Sequence, residues 1–221
     1  MRAVLAGSLA GTAPAAAQAG HVSGHITIQE KNNASSTDLG DAVVYLEGHG
    51  ASLAPARFEI TISDKTFSPH VLVVPVGTTV AFPNHDPFDH NVFSVSDSNS
   101  FDLGLYGRGE GKATAFRYPG LVRVFCNVHP RMVALVQVMA THHFAQAGAD
   151  GSFTISGVEP GAYKLHVWHE RASQELVRDV VVGSNGVADI QVALNARGFR
   201  WQPHKNKFGK DYPTNAGRER Y

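Results

Sequence analysis

The chain has a single cysteine among its 221 residues, and this scarcity excludes several kinds of protein. One thiol cannot form an intramolecular disulfide framework, a four-cysteine zinc site or an iron–sulfur cluster. An excess of charge of one sign is also lacking, because 19 lysines and arginines balance 19 aspartates and glutamates, so no overall charge favours nucleic acid as a partner. No apolar run after residue 20 reaches the length of a membrane-spanning helix. The lone thiol must therefore be buried, reactive or bound to a metal.

Residues 1–19, MRAVLAGSLAGTAPAAAQA, are typical of a secretory signal peptide. They contain one early arginine, a short run of small apolar residues, and an Ala-Gln-Ala sequence suited to cleavage after Ala19. A disordered alanine-rich leader is the alternative. We predict an exported, soluble protein, most simply one of a bacterial periplasm.

Nearly every apolar pattern after residue 20 has the two-residue period of a β-strand. Phe58, Ile60 and Ile62, for example, alternate with Glu59 and Thr61. No helix of ten residues is indicated, and glycine, proline and asparagine separate the strands at short intervals. The pattern predicts an all-β protein of the sandwich or barrel type. The other predicted strands are 22–28, 42–46, 71–74, 78–82, 91–95, 113–116, 121–126, 133–138, 153–155, 163–168, 177–182 and 188–194.

The distribution of these strands predicts two β units. Residues 53–140 hold enough strands for one complete sandwich. Two strands before this segment and four after it are each a poor domain alone, because a two-stranded ribbon buries too little surface. We therefore predict a discontinuous second unit, 20–52 plus 141–196, into which 53–140 is inserted. Two domains in tandem, with the first two strands packed on the earlier domain, are the alternative.

The C-terminal tail, residues 197–221, has no periodic pattern. It contains seven basic and two acidic side chains, a net charge of 7 − 2 = +5. Such a segment is either a disordered, solvated tail or an arm wrapped over the body of the protein. Wrapping would use its four aromatic anchors, which are Phe199, Trp201, Phe208 and Tyr212.

The stretch FCNVHPRM, residues 125–132, sets an imidazole and a thioether close to the single thiol. Cys126, His129 and Met132 follow one another at intervals of three residues. A soft thiolate, a borderline imidazole and a weak, soft thioether suit copper better than zinc, calcium or magnesium. A buried structural cysteine and a core methionine are the alternatives. The spacing favours a copper site.

A copper site of this type needs a second imidazole, because two imidazoles and one thiolate form its trigonal plane. The stretch FPNHDPFDHNVFS offers His85 and His90. His90 is favoured because the strand-like residues 91–94 follow it directly, whereas His85 lies in a loop rich in proline and aspartate.

The segments VPVGTTVAFPNHD, DHNVFS and FRYPGLVRVFCNVHPRMVALVQV resemble the cupredoxins, and the short ligand loop is similar to that of amicyanin. The resemblance covers about residues 55–140. It implies a Greek-key β-sandwich that holds one type 1 (blue) copper ion and transfers electrons. The metal ligands that it implies are His90, Cys126, His129 and Met132.

The resemblance also implies that Asn91 hydrogen-bonds the ligand loop to the neighbouring strand. Asn127 and Pro130 are expected to support the ligands from the same loop. The stretch 96–112, SDSNSFDLGLYGRGEGK, is longer and more polar than an amicyanin needs. It places the chain in a related methylamine-utilisation or plastocyanin-like group.

The flanking segments 21–48 and 148–170 resemble the carboxypeptidase-regulatory, transthyretin-like sandwich. The resemblance depends on the turn at Asp150-Gly151, the Pro160-Gly161 turn and the alternation along Tyr163 to Val167. Such modules scaffold or bind other proteins, so we assign no chemistry to this unit.

These observations predict a periplasmic blue-copper protein that carries single electrons between transient redox partners. We expect the ring edge of His129 at the surface, surrounded by Pro130 and residues 87–88, as the docking face. Copper delivery, or a scaffold of the cell envelope in which redox is incidental, is the alternative. The oligomeric state is open.

Other candidate groups give weaker signals. Four protein ligands leave no open position on the metal, and Asp86 and Asp89 have no nucleophile beside them, so an enzyme is not predicted. The pair 142–143, His-His, is expected to face solvent at the junction of the two units. His166 and His169 lie three apart along a strand and are expected to point to opposite faces.

Overall fold

The computed structural model describes residues 19–47, 54 and 56–213, so the predicted signal peptide lies outside the described residues except for Ala19. The described part contains strands and three short 3₁₀ turns but no α-helix. Its strands are β1 (Gly20–Gln29), β2 (Val43–Glu47), β3 (Arg57–Glu59), β4 (Thr61–Ser63), β5 (Thr66–Ser68), β6 (Val71–Pro75), β7 (Thr78–Asn84), β8 (His90–Ser94), β9 (Phe101–Tyr106), β10 (Gly109–Phe116), β11 (Gly120–Cys126), β12 (Val133–Met139), β13 (Phe144–Gln146), β14 (Ser152–Val158), β15 (Gly161–Trp168), β16 (Leu176–Val182) and β17 (Val187–Asn195).

The smaller sandwich combines the first two strands with the last five. One sheet has the order β14-β1-β17 and the other the order β13-β2-β15-β16. Alternate residues of these strands point into one apolar core, as expected when one face of each sheet is buried. The fully buried members of that core are Val22, Ile26, Ala42, Val44, Leu46, Val158, Leu165 and Val167.

The larger sandwich is built from the strands between residues 57 and 139. One sheet has the order β10-β7-β4-β5, with β3 paired to β7, and the other has the order β6-β12-β11-β8-β9. Non-consecutive neighbours in both sheets show that the chain crosses between them. Their shared core contains Ile60, Ile62, Phe67, Val74, Val80, Phe82, Val92, Phe116, Val122, Val124, Cys126, Met132, Ala134, Val136 and Val138.

A third apolar cluster joins the two sandwiches. It packs the outer face of the sheet containing β2 and β15 against the outer face of the sheet containing β6 and β12. Leu135 is buried at its centre, with partly buried aromatic side chains around it. The members of this seam are Val43, Val71, Val73, Leu135 and Met139, with Tyr45, Leu121, Val133, Phe144 and Trp168 packed against them.

The predicted fold class, an all-β protein with a larger and a smaller β-sandwich, is confirmed by these sheets. The strands of the smaller sandwich come from both sides of the strands of the larger one, and β13 makes it seven-stranded rather than six-stranded. The exact boundaries at 52/53 and 140/141 stay a prediction, and so does the transthyretin-like character of the smaller sandwich.

The sequence pattern does not indicate three of the strands, two because they are short and one because its composition hides the strand period. β5 and β13 are only three residues long, and β9 lies in the stretch 96–112, where Asp102 and Gly104 depress strand propensity. Gly104 has a positive φ of 68°, which glycine adopts without strain. The extra length in this stretch is therefore an edge strand, β9, paired with β8.

The described part of the tail, residues 197–213, wraps over the larger sandwich without forming strands. The amide N–H of Lys207 donates to the side-chain oxygen of Asn127, and the hydroxyl of Tyr212 donates to the carbonyl of Cys126. Two of the predicted anchors are wrong, because Trp201 is 49% exposed and Phe208 is 72% exposed. Tyr212 is an anchor.

We expect the seam to couple the stability of the two sandwiches. Leu135→Ala removes buried methyl groups from its centre and should lower the free energy of unfolding by about 2–5 kcal/mol. Trp168 belongs to the seam, so denaturant unfolding followed by tryptophan fluorescence measures the loss. Val181→Ala is the control, because Val181 is 76% exposed and should change stability by less than about 0.5 kcal/mol. Equal effects of the two substitutions would contradict a stabilising seam.

Candidate metal centre

Two neighbouring strands bring the thiol and one imidazole together. His90 is the first residue of β8 and Cys126 is the last residue of β11. These strands are antiparallel partners, with Cys126 opposite Val92 and Phe125 opposite Phe93. The start of β8 and the end of β11 therefore lie at the same edge of the sheet, although the two residues are 36 positions apart.

The loop from β11 to β12 adds the second imidazole. The N–H of Met132 donates to the carbonyl of His129 at 3.1 Å, and the N–H of Cys126 donates to the carbonyl of Met132 at 3.2 Å. These two bonds close the loop across its base. His129 is thereby turned back over the thiol, and Met132 enters the core directly before β12.

The donor atoms converge in a buried space. The Sγ atom of Cys126 lies 3.6 Å from Nδ1 of His90 and 3.7 Å from Nδ1 of His129, and the two Nδ1 atoms are 3.2 Å apart. Exposure is 0% for His90 and Cys126, 4% for His129 and 1% for Met132. Among the described residues, His90, Cys126 and His129 are the one group of histidine, cysteine or carboxylate side chains close enough to hold a metal ion.

The separations between the donors fit a single ion. Protein-bound zinc, a comparable ion, lies about 2.0 Å from imidazole nitrogen and about 2.3 Å from thiolate sulfur. Angles between tetrahedral and trigonal then put the sulfur about 3.5–3.7 Å from each nitrogen and the nitrogens about 3.3–3.5 Å apart. The observed sulfur–nitrogen separations fall in this range, and the nitrogen–nitrogen separation lies next to it.

Asp86 fixes the orientation and the tautomer of His90. Its Oδ2 atom lies 2.8 Å from Nε2 of His90. A carboxylate only accepts hydrogen bonds, so Nε2 carries the proton and Nδ1 of the neutral ring presents its lone pair to the other donors. A carboxylate behind a ligating histidine is a common support for a protein-bound metal.

A tight turn holds the Asp86 carboxylate in place. Asp64 and Lys65 join β4 to β5 with φ values of 51° and 55°, as a two-residue hairpin turn requires. Their amide N–H groups donate to the two carboxylate oxygens at 2.7 and 3.0 Å. Burial alone would raise the pKa of Asp86, but these bonds and the bond from His90 outweigh burial and lower it.

Burial keeps Cys126 and His90 uncharged in the metal-free protein. It raises the pKa of the Cys126 thiol, and hydrogen bonds to the sulfur, among them the N–H of Val128 at 3.4 Å, only partly offset this effect. Burial also lowers the pKa of His90 and outweighs the opposing influence of Asp86. Near neutral pH the site is therefore a thiol beside a neutral imidazole.

The three residues predicted to support the ligands have different partners. The backbone carbonyl of Asn91, rather than its side chain, accepts the N–H of Asn127 at 2.9 Å and ties the loop to β8. The Asn91 amide donates instead to Asp102 at 2.6 Å. Pro130 lies half-buried in the turn between His129 and Met132.

The prediction that the ring edge of His129 reaches the surface is wrong. His129 is buried, and the ring of Phe88 covers both imidazoles with centroid distances of 5.3 Å to His90 and 5.6 Å to His129. The ammonium group of Lys65 lies 5.1 Å from the centre of the Phe88 ring. Phe88 and Lys65 therefore lie between this end of the site and solvent.

The other histidines in the described part of the chain do not join the cluster. His85 is exposed, and its carbonyl accepts a hydrogen bond from Arg108. His143, expected to face solvent, is buried, and its Nε2 atom lies 3.2 Å from the carbonyl of Gly157. His166 stacks on Tyr45 with a centroid distance of 4.6 Å.

His169 also lies outside the cluster, and its Nε2 atom is 3.1 Å from the carbonyl of Asp38.

Of the described helical turns, none has the length and hydropathy needed to cross a membrane.

Sequence comparison gives no assignment, because no family model and no curated protein match the chain. Among solved structures, a purple cupredoxin from Nitrosopumilus maritimus is 29% identical over 37% of this chain and 98% of its own, with a TM-score of 0.34. Amicyanin from Paracoccus versutus is 22% identical over 38% of this chain and 81% of its own, with a TM-score of 0.35.

A copper-containing nitrite reductase from Thermus scotoductus is 27% identical over 43% of this chain but only 25% of its own, with a TM-score of 0.36. The matched share of this chain stays below one half in each of the three structures. TM-scores of this size carry no structural argument.

Removal of the Asp86 charge should weaken metal binding. Asp86→Asn deletes the carboxylate that selects the Nε2-protonated form of His90, and we expect metal affinity to fall by about 10- to 100-fold. Competition against a chelator measures the loss. Asp89→Asn is the matched control, because Asp89 is exposed and its replacement should change affinity by about twofold at most. Similar losses in both variants would disprove the role of Asp86.

Metal binding should release about one proton near neutral pH. Cys126 is a thiol in the metal-free protein because burial raises its pKa, whereas a bound metal requires the thiolate. Affinity should then rise about tenfold per pH unit below the pKa of the thiol. Calorimetry in two buffers of different ionisation enthalpy counts the protons. A pH-independent affinity would contradict this protonation state.

Proposed function

We propose that the chain binds one type 1 copper ion through His90, Cys126, His129 and Met132 and carries single electrons between redox partners. The convergence of two imidazoles and one thiol in a buried space carries this proposal. That donor set is the one associated with blue-copper sites.

The protein residues supply a fixed and dry environment. β8 and β11 hold His90 and Cys126 at paired strand ends, and Asp86 holds the ring of His90 from behind. Copper bound there supplies a couple between Cu(I) and Cu(II). Ligands fixed in this way change little in position when the charge of the ion changes, which keeps the energetic cost of electron transfer small.

Met132 would supply its thioether as the fourth and weakest ligand. Its side chain is buried in the same core as Cys126. Its backbone makes hydrogen bonds to the backbones of both His129 and Cys126. A long bond to a thioether is the feature that tunes the potential of such sites.

Copper delivery is the weaker alternative, because exchange with a partner needs accessible donor atoms. His90, Cys126 and His129 are almost completely buried, which favours retention. The rate of copper loss to an excess of chelator separates the two functions. Slow loss together with reversible one-electron voltammetry supports the carrier.

A periplasmic location and transient redox partners complete the proposal. The location is supported by the composition of residues 1–19, which is typical of a signal peptide. The partners are expected to dock over small interfaces, as redox encounters do.

Copper loading tests the proposed site directly. Cu(II) added to the purified protein should give an intense blue or green colour and an EPR spectrum with narrow copper hyperfine splitting. Cys126→Ala and His90→Ala should lose both signals, because each removes a donor from the trigonal plane. A pale protein with a tetragonal EPR spectrum would reject a type 1 site.

His85→Ala is the matched control for His90→Ala. Both histidines lie in the same short segment, but the side chain of His85 is exposed. The control should retain the full colour and the same EPR spectrum. Loss of colour in His85→Ala with retention in His90→Ala would show that His85, and not His90, supplies the second imidazole.

A further inference from the structure

Residues 197–213 form an arm that contacts three consecutive residues of the metal-binding loop, residues 125–132, which comprises the end of β11 and the turn into β12. The ring of His204 stacks on Phe125 with a centroid distance of 4.2 Å and an interplanar angle of 18°. The hydroxyl of Tyr212 donates to the carbonyl of Cys126 at 2.8 Å. The third contact is the bond from the backbone N–H of Lys207 to the side chain of Asn127, at 2.9 Å.

Hydrogen bonds within the arm hold its backbone in a defined conformation. The side-chain oxygen of Asn206 accepts the N–H groups of Phe208 and Lys210, both at 3.0 Å. The N–H of Asn206 donates to the carbonyl of Lys210 at 2.8 Å. These bonds form a compact turn between His204 and Tyr212, whose rings meet edge to face with a centroid distance of 5.2 Å.

A second attachment connects the arm to the strand that carries His90. The ammonium group of Lys207 lies 2.7 Å from Oδ2 of Asp102, and the side chain of Asn91 donates to Oδ1 of the same carboxylate. Asn91 follows His90 directly and accepts the N–H of Asn127 through its carbonyl. The arm is thus bonded directly to the end of β11 and is linked to β8 through the carboxylate of Asp102.

We propose that the arm is a clamp on the metal-binding loop and that Tyr212 positions Cys126 through its backbone carbonyl. Rotation of the backbone at residues 125–127 would move the Sγ atom away from the two imidazoles. The arm restrains all three residues from outside the sandwich. The consequence for copper rests on the proposed function, whereas the restraint on the thiol holds in the metal-free protein.

The single cysteine provides a direct probe of the clamp. In the metal-free protein, the rate at which Cys126 reacts with 5,5′-dithiobis(2-nitrobenzoate) reports how often the loop opens, because the thiol is fully buried when the loop is closed. Tyr212→Phe removes only the hydroxyl, and we expect the rate to rise about fivefold, the factor that corresponds to one net hydrogen bond. Tyr118→Phe removes an exposed phenol and should leave the rate unchanged.

A second variant and a second measurement separate a local effect from a loss of stability. A chain that ends at Gly198 lacks all three contacts and should react more than tenfold faster. Amide hydrogen exchange in β1 and β17, which belong to the other sandwich, should be unchanged in both variants. An unchanged thiol rate in Tyr212→Phe and in the shortened chain overturns the clamp. So does a rate increase matched by an equal increase in exchange in β1 and β17.

The copper-loaded protein tests the positioning of Cys126. Tyr212→Phe should alter the visible and EPR spectra, which depend on the geometry of the thiolate, and should speed copper loss about fivefold. Unchanged spectra and copper loss would overturn the positioning role. If the wild type gives no type 1 spectrum, the proposed function fails, and the thiol rates still decide whether the clamp exists.

Discussion

The pairing of β8 with β11 is the constraint on which the metal centre depends. It places Cys126 opposite Val92 and so brings the thiol to His90, which begins the same strand as Val92. Burial of two imidazoles and a thiol inside an apolar core is unfavourable unless their polar atoms have partners. Asp86, the backbone N–H donors at the sulfur and the loop bonds provide those partners. The strand register and the polar contacts thus act together, and neither alone would hold the donors in place.

The part of the site that lies close together in the sequence could be predicted. Cys126, His129 and Met132 occupy one short loop, so their residue types alone suggested a metal. His90 was preferred over His85 because a strand follows it, and the structure places His90 at the thiol and His85 at the surface. The all-β architecture was equally accessible, since most strands follow a clear two-residue period.

The parts that depend on distant contacts could not be predicted. The sequence identifies Asp86 only as one of two acids near the candidate ligands, because its role requires the turn at Asp64 and Lys65, more than twenty residues away. A carboxylate four residues before a candidate ligand was the signal available. The sequence of the arm has no periodic pattern from which its contacts could be predicted. In β9, glycine and aspartate interrupt the two-residue apolar period of a strand. The burial of His143 could not be predicted, because burial at a junction between two units leaves no pattern in the local sequence.

The two sandwiches are joined in a way that bears on how the protein tolerates cleavage. Tyr45 in β2 pairs with Phe144 in β13, so the chain leaves the smaller sandwich and returns to it through neighbouring strands. The apolar seam and the C-terminal arm add two non-covalent attachments to the larger sandwich. A break in the backbone between β2 and β3 would release no fragment. The two pieces would stay together because β1 pairs with β14 and β17, and β2 pairs with β13 and β15.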